Sequence, residues 1–437
     1  MKRSLVFFFC LSLLIITKAQ AAFVSGSTGA DGAFSPTANI SVQIPESGIL
    51  NYTTVNIPSG VTVTFRKNTA NTPVYILATG DVTIAGTISV NGGSTYNVTT
   101  PGNGGPGGFN GGYGGASSQA GGKGMGPGGG GGSSSSGCPA GGGGFGAAGG
   151  TYTGCGAGGS TYGSARLIPL IGGSGGGGCG GSTSSSTYGG GGGGGAILIA
   201  SSANINVTGS ILANGGDGYS SAGGGSGGAI RLIANTIIGS GSISARGGDL
   251  GNSSVGGKGR IRLEAFTNNF TPGTDPQYTY GQPSVVFPSN IPSLAITSIA
   301  GVTIPAASTA SYSQPDVLLP NTTTNPVAVA VAASNIPIGT TVAITVTPQF
   351  GNSSSANATL SGTNSSSTGS ANVNLSTTYS NVITARATFT LLASLYYENE
   401  KIGRVRVATR MGGESETVYI TESGREIRAE LIAGLMK

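Results

Sequence analysis

The chain has no histidine and no tryptophan, and charged residues make up only 8% of its 437 positions. Each shortage excludes something. Without histidine, neither a Ser-His-Asp nor a Cys-His catalytic site can be assembled. Sparse charge weighs against nucleic-acid binding, which needs a dense basic face to neutralise phosphates. The formal net charge is +5, but Lys2, Arg3 and Lys18 lie in a segment expected to be removed; subtracting them from the 20 basic residues leaves 17 against 15 acidic ones, or +2. Long apolar runs are missing too. The longest, Leu5 to Ile16, follows Lys2 and Arg3 and precedes Ala19-Gln20-Ala21, the order of a secretory signal peptide with its cleavage site. It falls short of the roughly 20 residues that cross a bilayer. The mature chain is therefore expected to be secreted or held at a cell surface, with no transmembrane segment.

Cysteine is scarce. Cys10 lies in the signal segment without a lipobox before it, and only Cys138, Cys155 and Cys179 survive maturation. Their spacings of 17 and 24 residues match no zinc finger. In an oxidising compartment a disulfide among these three closes a loop and leaves one thiol over. Neither a metal site nor a cofactor is expected.

What the chain does have is repetition. Val74 to Gly93 reads VYILATGDVTIAGTISVNGG, Ala196 to Gly216 reads AILIASSANINVTGSILANGG, Ala229 to Gly248 reads AIRLIANTIIGSGSISARGG, and a fourth copy opens at Arg260 with RIRLEAF. Alternation with period two marks strands with a buried face. Aligned, Ile76, Ile197, Ile230 and Ile261 form one apolar column, and Ala78, Ile199, Leu232 and Leu263 the next but one. Leu77, Leu198, Arg231 and Arg262 fall between them and are expected to face solvent. Val82, Ile205 and Ile237, then Ile88, Ile211 and Ile243, mark two further strands; Val61, Val63 and Phe65 repeat the pattern upstream. Stacking such copies buries a core that one copy could not bury alone. Over Phe23 to Phe266 the pattern resembles the right-handed parallel β-helix, the pectate-lyase-like architecture of many exported bacterial proteins. The resemblance is one of pattern, without a family-specific motif.

Three glycine-rich segments leave the same corner of this repeat: Gly92 to Gly195, Gly215 to Gly228 and Gly247 to Gly259. The first contains only two charged residues, Lys123 and Arg166. Glycine costs roughly 0.5–1 kcal/mol more than alanine to order, so an ordered lobe needs extensive backbone hydrogen bonding. Gly102, Gly105, Gly108, Gly111 and Gly114 keep a three-residue period suited to left-handed helices packed in polyglycine II style. The island Leu167-Ile168-Pro169-Leu170-Ile171 also favours order. Phe109, Tyr113, Phe145, Tyr152, Tyr162, Tyr188 and Tyr219 punctuate the glycine segments. They are candidates for stacking on sugar rings or on a cell-surface partner, or else they fill gaps over the glycine backbone.

Catalysis would need carboxylates in register. Asp217 and Asp249 follow Gly-Gly at the same corner, 32 residues apart, and should stack. They are either an acid/base or calcium pair, served by nearby Arg231, Arg246, Lys258, Arg260 and Arg262, or turn residues that tolerate a tight bend. The GGDGYSSAG segment fails the register of calcium-binding nonapeptide repeats.

Downstream, Asn268 to Pro292 reads as a linker rich in Pro, Asn and Thr. Short β-rich runs follow at Leu294–Ile304, Val327–Ala333, Thr341–Thr347, Ala356–Leu360, Ala371–Leu375 and Val382–Leu392, a spacing suited to an immunoglobulin- or fibronectin-like sandwich. The last stretch concentrates charge. Arg404 to Val407 and Thr417 to Ile420 form a hairpin across Gly412-Gly413, and Ser423-Gly-Arg-Glu426 reads as the capping box of a helix that aligns Ile427, Leu431 and Leu435.

The expected architecture is all-β. A signal peptide (1–21) precedes a short right-handed parallel β-helix (22–267) with a large glycine-rich insertion (92–195). A linker (268–292), a β-sandwich (293–395) and a charged hairpin with C-terminal helix (396–437) follow. The expected work is non-enzymatic, adhesion or structural display at a surface or in a matrix, with a polysaccharide or cell-surface component as partner. A carbohydrate-active enzyme and a self-assembling filament subunit are the competing readings.

Overall fold

Apolar residues at every second position become strands that pair copy on copy. In this computed structural model, residues 22–429 are described apart from 97, 116–118, 134–137, 182–186, 250–253, 272, 288–290, 306–307, 309–311, 313–314, 398–399 and 410–414. The signal segment, Gly412-Gly413, Leu431 and Leu435 lie outside the described residues. The strands form parallel sheets in the first part of the chain and antiparallel sheets in the second, so the fold is all-β. No helix among the described residues is long and apolar enough to cross a membrane.

Strands Ile49–Tyr52, Val74–Ala78, Ala196–Ser201, Ala229–Gly239 and Arg260–Phe270 pair in parallel. Ile230 lies opposite Ile197 on one side and Ile261 on the other. The first copy differs from the sequence alignment by two residues, since Val74 opposes Ile197 and Ile76 opposes Ile199. A slip of two keeps every side chain on its face, whereas a slip of one would reverse them all. The other columns hold: Val82, Ile205 and Ile237 are in register, as are Ile88, Ile211 and Ile243. These residues form one buried cluster. A second parallel sheet runs from Ile40–Gln43 through Thr62–Arg66, Thr87–Ser89, Ser210–Leu212 and Ser242–Ser244 to Thr274–Asp275.

Three of the four residues between the columns are buried rather than solvated, and Arg262 is half-buried. Leu77 and Leu198 are buried with Phe109, Phe145, Leu167 and Leu170 of the glycine insertion, and Arg231 is only 1% exposed. The apolar island of the insertion covers this face. A sheet buried on both faces shows apolar runs rather than alternation; Ala196–Ser201 is buried at every position.

Glycine segments bond to one another at three-residue intervals. The N–H groups of Gly173 and Gly176 donate to the carbonyls of Gly194 and Gly191. Those of Gly191 and Gly194 donate to Gly223 and Ser226, whose N–H groups donate in turn to Gly177 and Ser174. A Cβ on Gly176 would stand 2.1 Å from the Gly223 oxygen, and one on Gly223 would stand 2.0 Å from the Gly141 oxygen. Both lie far inside van der Waals contact, so only glycine fits.

The stretch expected as a linker begins inside strand Arg260–Phe270, and Thr274–Asp275 and Thr279–Gly281 go on to extend both parallel sheets. Two antiparallel sheets follow. One contains Ser293–Ile299, Val327–Ser334 and Ser366–Val373; the other contains Thr341–Pro348, Asn381–Tyr397, Glu400–Thr409 and Ser415–Thr421. They share a core that includes Leu294, Val329, Ile344 and Val405. The expected hairpin forms, with Arg404 opposite Ile420 and Val407 opposite Thr417. The expected helix start does not: Glu426–Arg428 is a strand paired with Val418–Ile420. Arg406 donates to both oxygens of Glu426, at 2.6 and 2.7 Å, which ties that carboxylate to the hairpin.

Candidate functional site

Side chains at the repeating corner form a ladder. Asn91 Oδ1 accepts from the Asn214 N–H at 2.7 Å, and Asn214 Oδ1 accepts from the Arg246 N–H at 2.9 Å. One step further along, Ser94 Oγ accepts from the Asp217 N–H at 2.9 Å and Asp217 Oδ1 accepts from the Asp249 N–H at 2.7 Å. Asp217 and Asp249 therefore stack, but one oxygen of Asp217 is committed to a backbone N–H of the next repeat.

The basic residues expected near this pair bond elsewhere. Arg231 and Arg262 contact Glu264, Arg246 and Lys258 contact Asp275, and Arg260 lies over the Phe145 ring at 5.7 Å. Among the described residues, no group of three or more His, Cys, Asp or Glu side chains is placed to hold a metal ion.

The candidate aromatics separate into two groups. Phe109 and Phe145 are buried against the parallel sheet with Leu170 and Leu198, which removes them from any contact surface. Tyr162 packs on Phe145 at 4.8 Å, and its hydroxyl donates to the Gly172 carbonyl at 2.6 Å. These three serve the packing of the insertion.

Tyr188 and Tyr219 meet edge to face at 5.0 Å, and Tyr96 lies 6.4 Å from Tyr219. Buried Thr95 fixes this arrangement: its Oγ1 donates to the Gly189 carbonyl at 2.8 Å and accepts from the Tyr219 N–H at 3.3 Å. One threonine thus joins the three segments that carry the rings. Tyr113 stands beside Gly114, where an added Cβ would touch the Tyr188 backbone at 2.9 Å. Tyr96 is 63% and Tyr113 54% exposed, and exposed Val98 accompanies them. Tyr152 is exposed at the loop closed by the Cys138–Cys155 disulfide. Cys179 is buried beneath Tyr188 with Ala140 and Ala222, and burial pushes its thiol pKa up.

Tyr96 was not among the expected candidates, although the repeat contains its signal. Asn91-Gly-Gly-Ser-Thr-Tyr96 aligns with Asn214-Gly-Gly-Asp-Gly-Tyr219, so both tyrosines leave the corner at the same offset.

Comparisons with protein families, with curated proteins and with solved structures find no match for this chain.

Proposed function

We propose that this chain is an exported, non-enzymatic surface or matrix protein that works by adhesion or structural display. In this reading the parallel sheets are a right-handed parallel β-helix. The glycine segments pack on it as left-handed helices with three residues per turn, in polyglycine II style, and the antiparallel sheets are an immunoglobulin-like module that spaces the whole from its anchor. The tyrosine face of Tyr96, Tyr113, Tyr188 and Tyr219 is the contact surface, and a polysaccharide or other cell-surface component is the partner. The observation that carries this reading is the meeting of the Tyr96, Tyr188 and Tyr219 rings, with exposed Tyr113 next to the Gly114 contact, on a lobe with few charges. Flat apolar rings with a hydroxyl at the edge suit stacking on sugar faces.

The test is a pull-down of residues 22–437 on insoluble and acidic polysaccharides, with the supernatant assayed for new chain ends. Retention without new ends, lost on combining Tyr96→Ala, Tyr113→Ala and Tyr219→Ala, is the expected result. New chain ends that vanish in Asp217→Asn would replace this reading with that of a carbohydrate-active enzyme.

A further inference from the structure

Charge in the antiparallel part of the chain gathers on one of its two sheets. From Ser293 to Ala385 the only charged residue is Asp316. The sheet of Ser293–Ile299, Val327–Ser334 and Ser366–Val373 has none, and exposes Thr368, Ser370 and Asn372 instead. Solvation of a sheet face in this part of the chain therefore does not require charge.

The other sheet carries arginines in register. Arg406 lies opposite Val418, and Val418 opposite Arg428. Arg404 lies opposite Ile420, and Arg386 opposite Ala408. The alternate residues Val405, Val407, Tyr419 and Ile427 fill the core, so Arg386, Arg404, Arg406 and Arg428 share the outer face. Neighbouring strands lie about 4.8 Å apart and alternate residues along a strand about 7 Å apart, which spreads the guanidinium groups as a grid. Glu416 and Glu426 stand on the same face, with Glu426 held by Arg406. Four arginines against two glutamates leave a surplus of positive charge. Arg404 and Arg428 are exposed and have no ion-pair partner among the described residues.

The face has no exposed large apolar side chain among its described residues, since Val418 and Ile420 are buried. It thus offers nothing to insert into a lipid surface and no ring on which to stack a base. Glu416 and Glu426 would repel a densely phosphorylated backbone but leave room for anionic groups spaced along a chain. Guanidinium forks pair with such carboxylates through two hydrogen bonds each.

We propose that this arginine face binds an acidic polysaccharide, with Arg404 and Arg428 on its carboxylates. The proposal takes from the adhesion reading only the class of partner. Calorimetric titration of residues 22–437 with polygalacturonate should show saturable binding, and the fully methyl-esterified polymer, which lacks the charge, should bind about tenfold more weakly or worse. Arg404→Gln combined with Arg428→Gln changes only exposed positions and should weaken polygalacturonate by about tenfold or more. Arg66→Gln, which removes an exposed charge from the parallel sheets, should change affinity by less than about twofold. The absence of saturable binding would overturn the proposal. So would equal affinity for the esterified polymer, an equal loss with Arg66→Gln, or tighter binding to duplex DNA or to phosphatidylserine vesicles. Binding that survives the arginine double variant but is lost on combining Tyr96→Ala, Tyr113→Ala and Tyr219→Ala would overturn it while leaving the adhesion reading in place.

Discussion

The stacked strands around Ile230 and the glycine segments around Gly176 lie against each other, yet opposite means hold them together. In the strands, columns of branched side chains fill the space between two sheets, and burial supplies the driving force. In the glycine lobe the side chains are missing, and that absence lets three backbones approach closely enough to bond in a closed cycle. Each ordered glycine costs roughly 0.5–1 kcal/mol more than alanine. A backbone hydrogen bond returns about 0.5–1.5 kcal/mol net. A lobe of this kind is thus sustained only where nearly every segment is bonded, and it depends on the apolar sheet face to which Leu167 and Leu170 fasten it. The comparison teaches that one chain can form ordered structure both by adding side chains and by removing them.

The seam between the regions should be the most sensitive point. Glu264→Gln leaves buried Arg231 and half-buried Arg262 without their carboxylate and should cost about 3–5 kcal/mol in denaturant unfolding. Burial alone would raise the pKa of this carboxyl, but Arg231, Ser284 and Arg262 together hold it below the usual carboxylate value. Its contribution is therefore present at neutral pH and lost as acidification passes through that lowered value. In the strand region Ile230→Ala should cost about 2–5 kcal/mol, and the loss should appear in global unfolding.

In the glycine region the effect should be smaller and local. Gly223→Ala should cost about 1–3 kcal/mol through overpacking, read as faster amide exchange at 173–178 and 191–194 while strand Ala229–Gly239 stays protected. A global loss instead would mean that the two regions unfold as one.

A pH-dependent effect concerns Lys67, which donates to the Gly108 carbonyl at 3.1 Å and so ties the insertion to the strands. Burial lowers its pKa from 10.5 to about 8. Between those values the unfolded chain binds more protons than the folded one, so stability should rise with pH. Tyr52, raised from 10.0 to about 12, opposes this only above pH 10. Melting temperature should therefore climb from pH 8 towards pH 9, above which the raised thiol of Cys179 also opposes the gain, and Lys67→Met should remove the climb.

Much of the strand region was legible because each copy states its own alternation: Ile205 and Ile237, or Ile211 and Ile243, can be matched by counting. The corner ladder was legible for the same reason, since Asp217 and Asp249 keep one offset. What covers Leu198 and Arg231 was not. The cover comes from an insertion whose glycine backbone has no hydrophobic period to read, and the Glu264 that satisfies Arg231 lies one repeat further on. The two-residue slip of Val74 was hidden because Val74 and Ile76 suit the same column equally well. At the C-terminal end the capping pattern placed a helix start at Ser423; strand pairing together with the Arg406–Glu426 bond prevailed there, and the residues after Ala429, where the rest of that helix was expected, lie outside the described ones. The tyrosine face was half legible. Tyr113, Tyr188 and Tyr219 stood out by residue type, whereas Tyr96 required the repeat offset, and the burial of Phe109 and Phe145 depended on contacts far away in sequence.

Hydrogen exchange on the intact chain tests the central claim most directly, that backbone bonding without side chains orders the glycine lobe. The amides of 173–178 and 189–195 should be protected to the same degree as those of strand Ala229–Gly239. Exchange of the glycine amides at the rate of an unstructured chain, with the strand still protected, would contradict it.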